Sequence, residues 1–276
     1  GYAWCVAPRI TLTTDFGTRD AYVAELKAAL LSELDSLPQA ESSCSRAEPT
    51  ASTPPQIFDL SHELAPFDVR AAAWFVRAAL PGFPRGTVHL VVVDPGVGSA
   101  RRPLVARAAG QVLVGPDNGV FGHLFCGDEE VFAVDPAVLG ARALSSTFHG
   151  RDLFAPLAAR LAAGARCEDL GVRVEDYQQL HIPEPVPSED GLSGEILHVD
   201  HYGNLISNLS SRTVAELGAP DALTFHIQGH TLPGLCDHYA QAEPGEPLAL
   251  IGSAGLVELS VPGAAPRRRY RAVVVP

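Results

Sequence analysis

Hydrophobic positions in the first two-thirds of the chain alternate between two periods. Residues 10–14 (Ile-Thr-Leu-Thr-Thr) are rich in β-branched side chains and predict a strand, and residues 20–31 follow with apolar positions at helical spacing. Residues 57–60 predict a short strand and 68–80 a helix, with Asp68 placed to cap it and Pro81-Gly82 to close it. Residues 87–93 are almost all apolar, which suits a strand covered on both faces. Further strands are predicted over 104–108, 111–114 and 130–134, and a helix over 152–164 ending at a glycine. This alternation predicts an α/β domain with a mostly parallel sheet.

The pattern then changes. Three prolines punctuate Pro183 to Pro187, and beyond them a period of two takes over at 194–200, 223–227, 248–251 and 257–261. A smaller all-β domain is expected, dividing the chain into 1–185 and 186–276. Between 36 and 56 the chain turns to Ser, Pro, Glu and Ala with no buried period, so a flexible insertion is expected there.

Composition narrows the function. With 46% hydrophobic and 19% charged residues, the 276-residue chain reads as a soluble globular protein. A formal charge of -12 opposes a nucleic-acid partner, and the Arg267-Arg268-Arg269 run reads as a solvated edge or tail. Five scattered cysteines form no Cys-x-x-Cys pair, which points to a reducing compartment. No apolar run approaches the roughly 20 residues that span a bilayer, so a cytoplasmic protein without a membrane partner is expected.

Candidate chemistry sits where apolar runs end in carboxylates. Asp94 follows such a run and precedes the turn Pro95-Gly96-Val97-Gly98, and Arg101 can return to the same pocket. A buried Asp paired with an Arg for structure alone explains the same residues. His149 precedes Gly150-Arg151-Asp152 at a helix start, where a cap or a packed ring is the plain reading. The three together could hold a water whose proton passes to the Asp. Asp15 ends the first strand, well placed for ribose hydroxyls, although no Gly-x-Gly-x-x-Gly is present. Asp20 is either a helix cap or a ligand group. Residues 115–119, 200–204 and 253–255 read as turns.

In their order and spacing, these segments resemble the S-adenosyl-L-methionine (SAM) hydroxide adenosyltransferase family, relatives in fold of the fluorinase and chlorinase. The similarity runs from Ile10 to Val261, apart from the insertion. It implies an N-terminal α/β domain, a C-terminal β-barrel-like domain, and a homotrimer with sites between one subunit's N-terminal domain and its neighbour's C-terminal domain. The water-activating set falls on Asp94, Arg101 and His149, the ribose carboxylate on Asp15, and the aromatic beside the nucleoside on Phe67. Asp20, Asp200 and Ser253 match the methionine end of the substrate, and Asn204 and Tyr239 the adenine side. Halogenating relatives carry a tyrosine where Asp94 stands and a serine where Gly150 stands, so hydrolysis is the implied reaction, with SAM as substrate and no cofactor. Two features depart from the family: the insertion, and a short Pro262-Gly263-Ala264-Ala265 turn in place of an asparagine-rich one.

Two other classes fit the same residues. A metal-dependent hydrolase could use Asp15, Asp94, Asp117, His149 and Asp152 as ligands, although no paired ligand motif lies on one element. A non-catalytic module could hold SAM or adenosine in the same pocket without turnover.

Overall fold

The computed structural model describes residues 7–38, 55–140, 143–188, 191–227, 229–243, 245–260 and 271–275, the last of these by backbone alone. The expected insertion at 36–56 falls mostly outside the described residues. The chain divides into two compact units, Gly1–Leu180 and His181–Pro276.

The first unit is built on seven strands: β1 (Arg9–Thr14), β2 (Gln56–Ser61), β3 (Val88–Val92), β4 (Pro103–Ala108), β5 (Gln111–Pro116), β6 (Glu130–Val134) and β7 (Gly171–Arg173). Their order is β2-β1-β3-β5-β4-β6-β7. Pairing is parallel from β2 through β5 and antiparallel from β5 to β7, so five of the seven strands run the same way. Helices α1 (Tyr22–Ser36), α2 (Val69–Ala79), α3 (Ala155–Ala162) and α4 (Cys167–Leu170) complete the unit.

All five residues of β3 are buried, as its continuous apolar run requires. Leu90 and Val92 pack with Leu26 and Leu30 of α1 and with α3, whereas Val91 packs on the other face with Ala72 and Val76 of α2. The sheet is therefore covered on both sides. Because β2 lies on one flank of β1 and β3 on the other, the connection from β1 to β2 and the one from β2 back to β3 run in opposite directions across the sheet. A crevice opens at the carboxyl ends of β1 and β3, the place where open α/β sheets bind ligands.

Asp68 caps α2 as expected, its side chain accepting from Ala71 N at 2.9 Å. Asp20 does not cap α1: the cap position belongs to Ala21 and carries no side-chain bond. The helix expected over 152–164 starts with one π-helical stretch, Gly150–Phe154, before α3. That wider turn begins directly after His149.

The second unit holds β8 (Val186–Ser188), β9 (Gly191–Val199), β10 (Leu205–Ser210), α5 (Ser211–Ala215), β11 (Thr224–Ile227), β12 (His230–Pro233), β13 (Leu248–Ile251), β14 (Leu256–Ser260) and β15 (Arg271–Val275). It forms an antiparallel sheet of order β12-β11-β15-β9-β10-β14-β13, with β8 on β9. Its end strands β12 and β13 form no ladder with each other among the described residues, so the barrel-like form that the resemblance implies is not closed there, although Cys236, just after β12, makes an isolated bridge to Leu250 of β13. Phe225, Leu209, Val257 and Leu259 fill its core. No helix among the described residues is long and apolar enough to cross a membrane.

Candidate active site

Asp15 and Asp94 occupy the crevice, each just beyond the end of its strand. Asp94 is 8% exposed. The turn after it must pass close to the loop before His149: a Cβ on Gly98 would lie 2.4 Å from Ser146 O, and Gly98 has φ +78°. Only glycine permits that approach.

Arg101 returns to Asp94 as the spacing suggested. Its Nε lies 3.1 Å from Oδ1 and 3.0 Å from Oδ2, and its Nη2 lies 2.5 Å from Oδ2. The same Nη2 is 2.8 Å from His149 Nδ1, and the guanidinium sits 5.0 Å over the Phe154 ring. The structure thus brings Asp94, Arg101 and His149 together from positions far apart in the chain.

Arg101 fixes the state of the imidazole. A guanidinium only donates, so Nδ1 accepts and the proton of the neutral ring rests on Nε2. Burial, followed by the charge of Arg101, holds His149 below the usual imidazole range against the opposing pull of Asp94 and Asp152. A neutral ring with Nδ1 engaged has a donor to offer and no free lone pair. Asp94 keeps the acceptor: Oδ2 takes the short bond, and Oδ1 is the freer oxygen.

A cavity of about 560 Å³ opens beside this set. It is lined by Asp15, Phe67, Asp94 and His149, and also by Phe16, Tyr22, Glu25, Phe148 and Arg151. Burial pushes the Asp15 carboxyl up, the Phe67 N–H, which donates to Oδ2 at 2.8 Å, pulls it back, and the charge of Asp94 raises it again. Phe67 has φ +64°, and the residue is 69% exposed. Asp20 is exposed and not among the lining residues.

Sequence reasoning missed the last five of those lining residues. Phe16, Tyr22 and Phe148 pack edge to face with ring centroids 5.3–6.2 Å apart. Arg151 pairs with Glu25 at 2.7 Å and with Asp152 at 2.6 Å. Adjacency was the available signal: Phe16 follows Asp15, Phe148 and Arg151 flank His149, and Tyr22 and Glu25 share one face of the helix after Asp15.

In the second unit Asp200 and Asn204 are bound into one turn. Asp200 accepts from the backbone of Tyr202 and Asn204, each at 2.9 Å, and from Asn204 Nδ2 at 2.8 Å. Asn204 is buried and its Oδ1 accepts from Ser260 Oγ at 2.7 Å, so both ends of its amide are engaged. Tyr239 donates its hydroxyl to Glu258; burial and then that carboxylate raise its phenol far above the usual range. Ser253 lies exposed in the turn between β13 and β14.

Two members of the rival metal set are engaged with other partners. Asp117 is taken up by Arg102 and by Gln178 N, and Asp152 by Arg151 and Ser145 N. Among the described residues no group of three or more His, Cys, Asp or Glu side chains is placed to hold a metal ion.

Comparison with known proteins meets this geometry. Residues 49–171 match the model of the SAM hydroxide adenosyltransferase N-terminal domain, and residues 194–272 that of the C-terminal domain. The chain belongs to the SAM hydroxide adenosyltransferase family. An (R)-S-adenosyl-L-methionine hydrolase of Salinispora arenicola is 38% identical over 93% of this chain and 91% of that protein. One of the same description from Thermus thermophilus is 38% identical over 90% and 89%. The crystal structure of an uncharacterized conserved protein from Thermotoga maritima superposes with a TM-score of 0.77 at 30% identity, covering 96% of this chain and 99% of that one. In this member of the SAM hydroxide adenosyltransferase family, residue 150 is a glycine on which a Cβ would stand 3.0 Å from Phe16 Cζ and 3.3 Å from Phe148 Cε2. Two aromatic rings occupy the space that a serine would enter.

Proposed function

We propose that this protein hydrolyses SAM to adenosine and L-methionine by attack of water on the 5′ carbon of the ribose. The observation that carries the reading is Arg101 Nη2 joining Asp94 to His149 at the wall of a cavity that also contains Asp15. The cavity volume lies in the range of about 300–1,000 Å³ usual for small-molecule sites. Family membership and the hydrolase relatives support the same substrate.

In this reaction the water oxygen forms a bond to C5′ as the C5′–S bond breaks. The electron pair of that bond returns to sulfur, so the sulfonium leaves as the neutral thioether of methionine and needs no acid. What remains is to hold one water in line and to take its proton. His149 donates to the water oxygen through Nε2–H, Arg101 locks both partners, and Asp94 Oδ1 accepts the proton. The sequence left open a relay through His149; the engaged Nδ1 favours the donor role. Asp15 accepts from the ribose hydroxyls, and Phe67 packs against the nucleoside.

The proposal extends to the assembly. A homotrimer would bring Asp200, Asn204, Tyr239 and Ser253 of a neighbouring subunit to the methionine and adenine ends, and Phe67 is the kind of exposed ring such a partner covers. Asn204 and Tyr239 would then present what their internal bonds leave free. Asp20 would act at the methionine end. A cytoplasmic setting agrees with free thiols at Cys126, Cys167 and Cys236. No cofactor enters the reaction as written, and activity should survive exhaustive chelation.

The deciding experiment is incubation with SAM in heavy-oxygen water. The expected products are methionine and adenosine labelled in its 5′-hydroxyl. SAM bound without turnover would make this a binding module, and adenosine lacking the label would overturn attack at C5′.

A further inference from the structure

Four hydrogen bonds stitch the segment that ends β2 to the turn that carries Asp15. His62 pairs with Thr14, Gly17 N donates to His62 O at 2.7 Å, Thr18 Oγ1 to Glu63 at 2.8 Å, and Phe67 N to Asp15 at 2.8 Å. His62 contributes to two of them, and its side chain is 4% exposed. Its Nδ1 lies 2.8 Å from Thr14 Oγ1 and its Nε2 3.2 Å from Asp59 Oδ1, and Asp59 Oδ2 is 2.5 Å from Lys27 Nζ on α1.

An acid, an imidazole and a hydroxyl in this order suggest a nucleophile. Thr14 rules that out here, since it is 0% exposed and no substrate reaches its oxygen. The row has a different use. With the Asp59 carboxylate facing Nε2, the ring proton belongs there, Nδ1 accepts, and the Thr14 hydroxyl must donate to it. The hydroxyl oxygen is then left to accept from Phe16 N, 3.3 Å away. Donation runs in one direction from the backbone of Phe16 through Thr14 to His62, whose Nε2 faces Asp59 Oδ1 at 3.2 Å as a charge contact without hydrogen-bond alignment, and Lys27 supplies the countercharge at the far end. Asp15 stands between Thr14 and Phe16, so its backbone is held on both sides.

We infer that His62, oriented by Asp59 and Lys27, is a positioning residue that fixes the Thr14–Gly17 turn and so presents the Asp15 carboxylate in the geometry a ribose diol needs. It touches neither substrate nor water. The inference rests on the nucleoside reading of Asp15.

The test measures adenosine affinity by calorimetry and SAM turnover for wild type, His62→Ala, His62→Asn, Asp15→Asn and the double variant Asp15→Asn/His62→Ala. His62→Ala should raise the adenosine Kd and the KM for SAM about tenfold, with kcat changed only a few-fold. A purely structural role would instead lower the active fraction, and with it kcat, at unchanged KM. His62→Asn, whose side-chain oxygen can accept from Thr14, should recover most of the affinity. The double variant should bind adenosine no worse than Asp15→Asn, because His62 acts through Asp15. Unchanged affinity in folded His62→Ala, or losses that add in the double variant, overturns the inference. If His62→Ala does not fold, Thr14→Val removes the same link with the shape kept; the same tenfold rise supports the inference and an unchanged Kd defeats it. A wild type that neither binds adenosine nor consumes SAM sinks the activity reading itself, whereas an active wild type with indifferent variants sinks this inference alone.

Discussion

Arg101 Nη2 donates to His149 Nδ1 across 2.8 Å, and this one bond settles which nitrogen of the ring carries the proton. Lysine at 101 offers a single ammonium in place of a planar fork and cannot hold both partners in register. Arg101→Lys should therefore lower kcat about 100-fold while KM for SAM moves little, as expected when alignment of the attacking group is lost. Steady-state kinetics on protein of unchanged melting temperature checks it. A preserved kcat would mean that the bridge is only structural.

Asp94→Ala removes the proton acceptor and leaves the cavity wall otherwise in place. Turnover should fall by roughly 100- to 10,000-fold with SAM still bound. Calorimetric binding beside product assay separates the two effects, and full turnover in this variant would remove Asp94 from the mechanism.

His149 gives the pH dependence a sign. Its folded pKa is depressed from 6.5, first by burial and then by Arg101, so the neutral donor ring survives as pH falls below the ordinary imidazole value. Protonation would put a hydrogen on Nδ1 and break the bond from Arg101. The acid limb of kcat should accordingly lie below pH 6.5. Asp15, raised by burial, acts on binding and should appear in kcat/KM instead. An acid limb of kcat above that value contradicts the assigned ring state.

Gly150 tests the aromatic wall. A Cβ there would stand 3.0 Å from Phe16 Cζ, so Gly150→Ala requires a ring that lines the cavity to give way by a few tenths of an ångström. Destabilisation of about 1 kcal/mol is expected, together with a higher KM. Adding Phe16→Leu should restore the melting temperature by making room. Independent, additive effects of the two changes would show that the contact is unimportant.

His89 is 0% exposed within β3, and burial pushes its pKa down from 6.5 to about 4. The unfolded chain binds this proton more readily than the folded one, so the contribution of the neutral ring is complete above pH 6.5 and lost as pH falls toward 4. Linkage puts that loss at about 3 kcal/mol. Chemical denaturation of wild type and His89→Gln across this window should show a shallower acid slope in the variant; equal slopes would assign the acid loss elsewhere.

The sequence made some of this legible for identifiable reasons. The β3 segment could be read because a strand buried on both faces has no polar alternation to confuse it, and α2 because Asp68 marks its start. Strands β10 and β12 escaped because their short segments carry polar residues on buried positions, Ser207 and Asn208 among them, or lie at an edge. The π-helical start at Gly150 is invisible to periodicity, since Asp152 to Gly164 scans as a regular helix. Asp94 and Arg101 could be paired from spacing across one turn. The bond from Arg101 to His149 spans 48 residues and depends on how two loops meet at Gly98.

Phe67 gives the free protein an uneconomical backbone. A side chain in the left-handed region costs on the order of 1 kcal/mol that glycine would avoid, and here the ring it carries faces water. A loop chosen for robustness alone would have discarded that phenyl group. Covering that phenyl group would remove apolar area from water, a gain large enough to offset a backbone cost of about 1 kcal/mol.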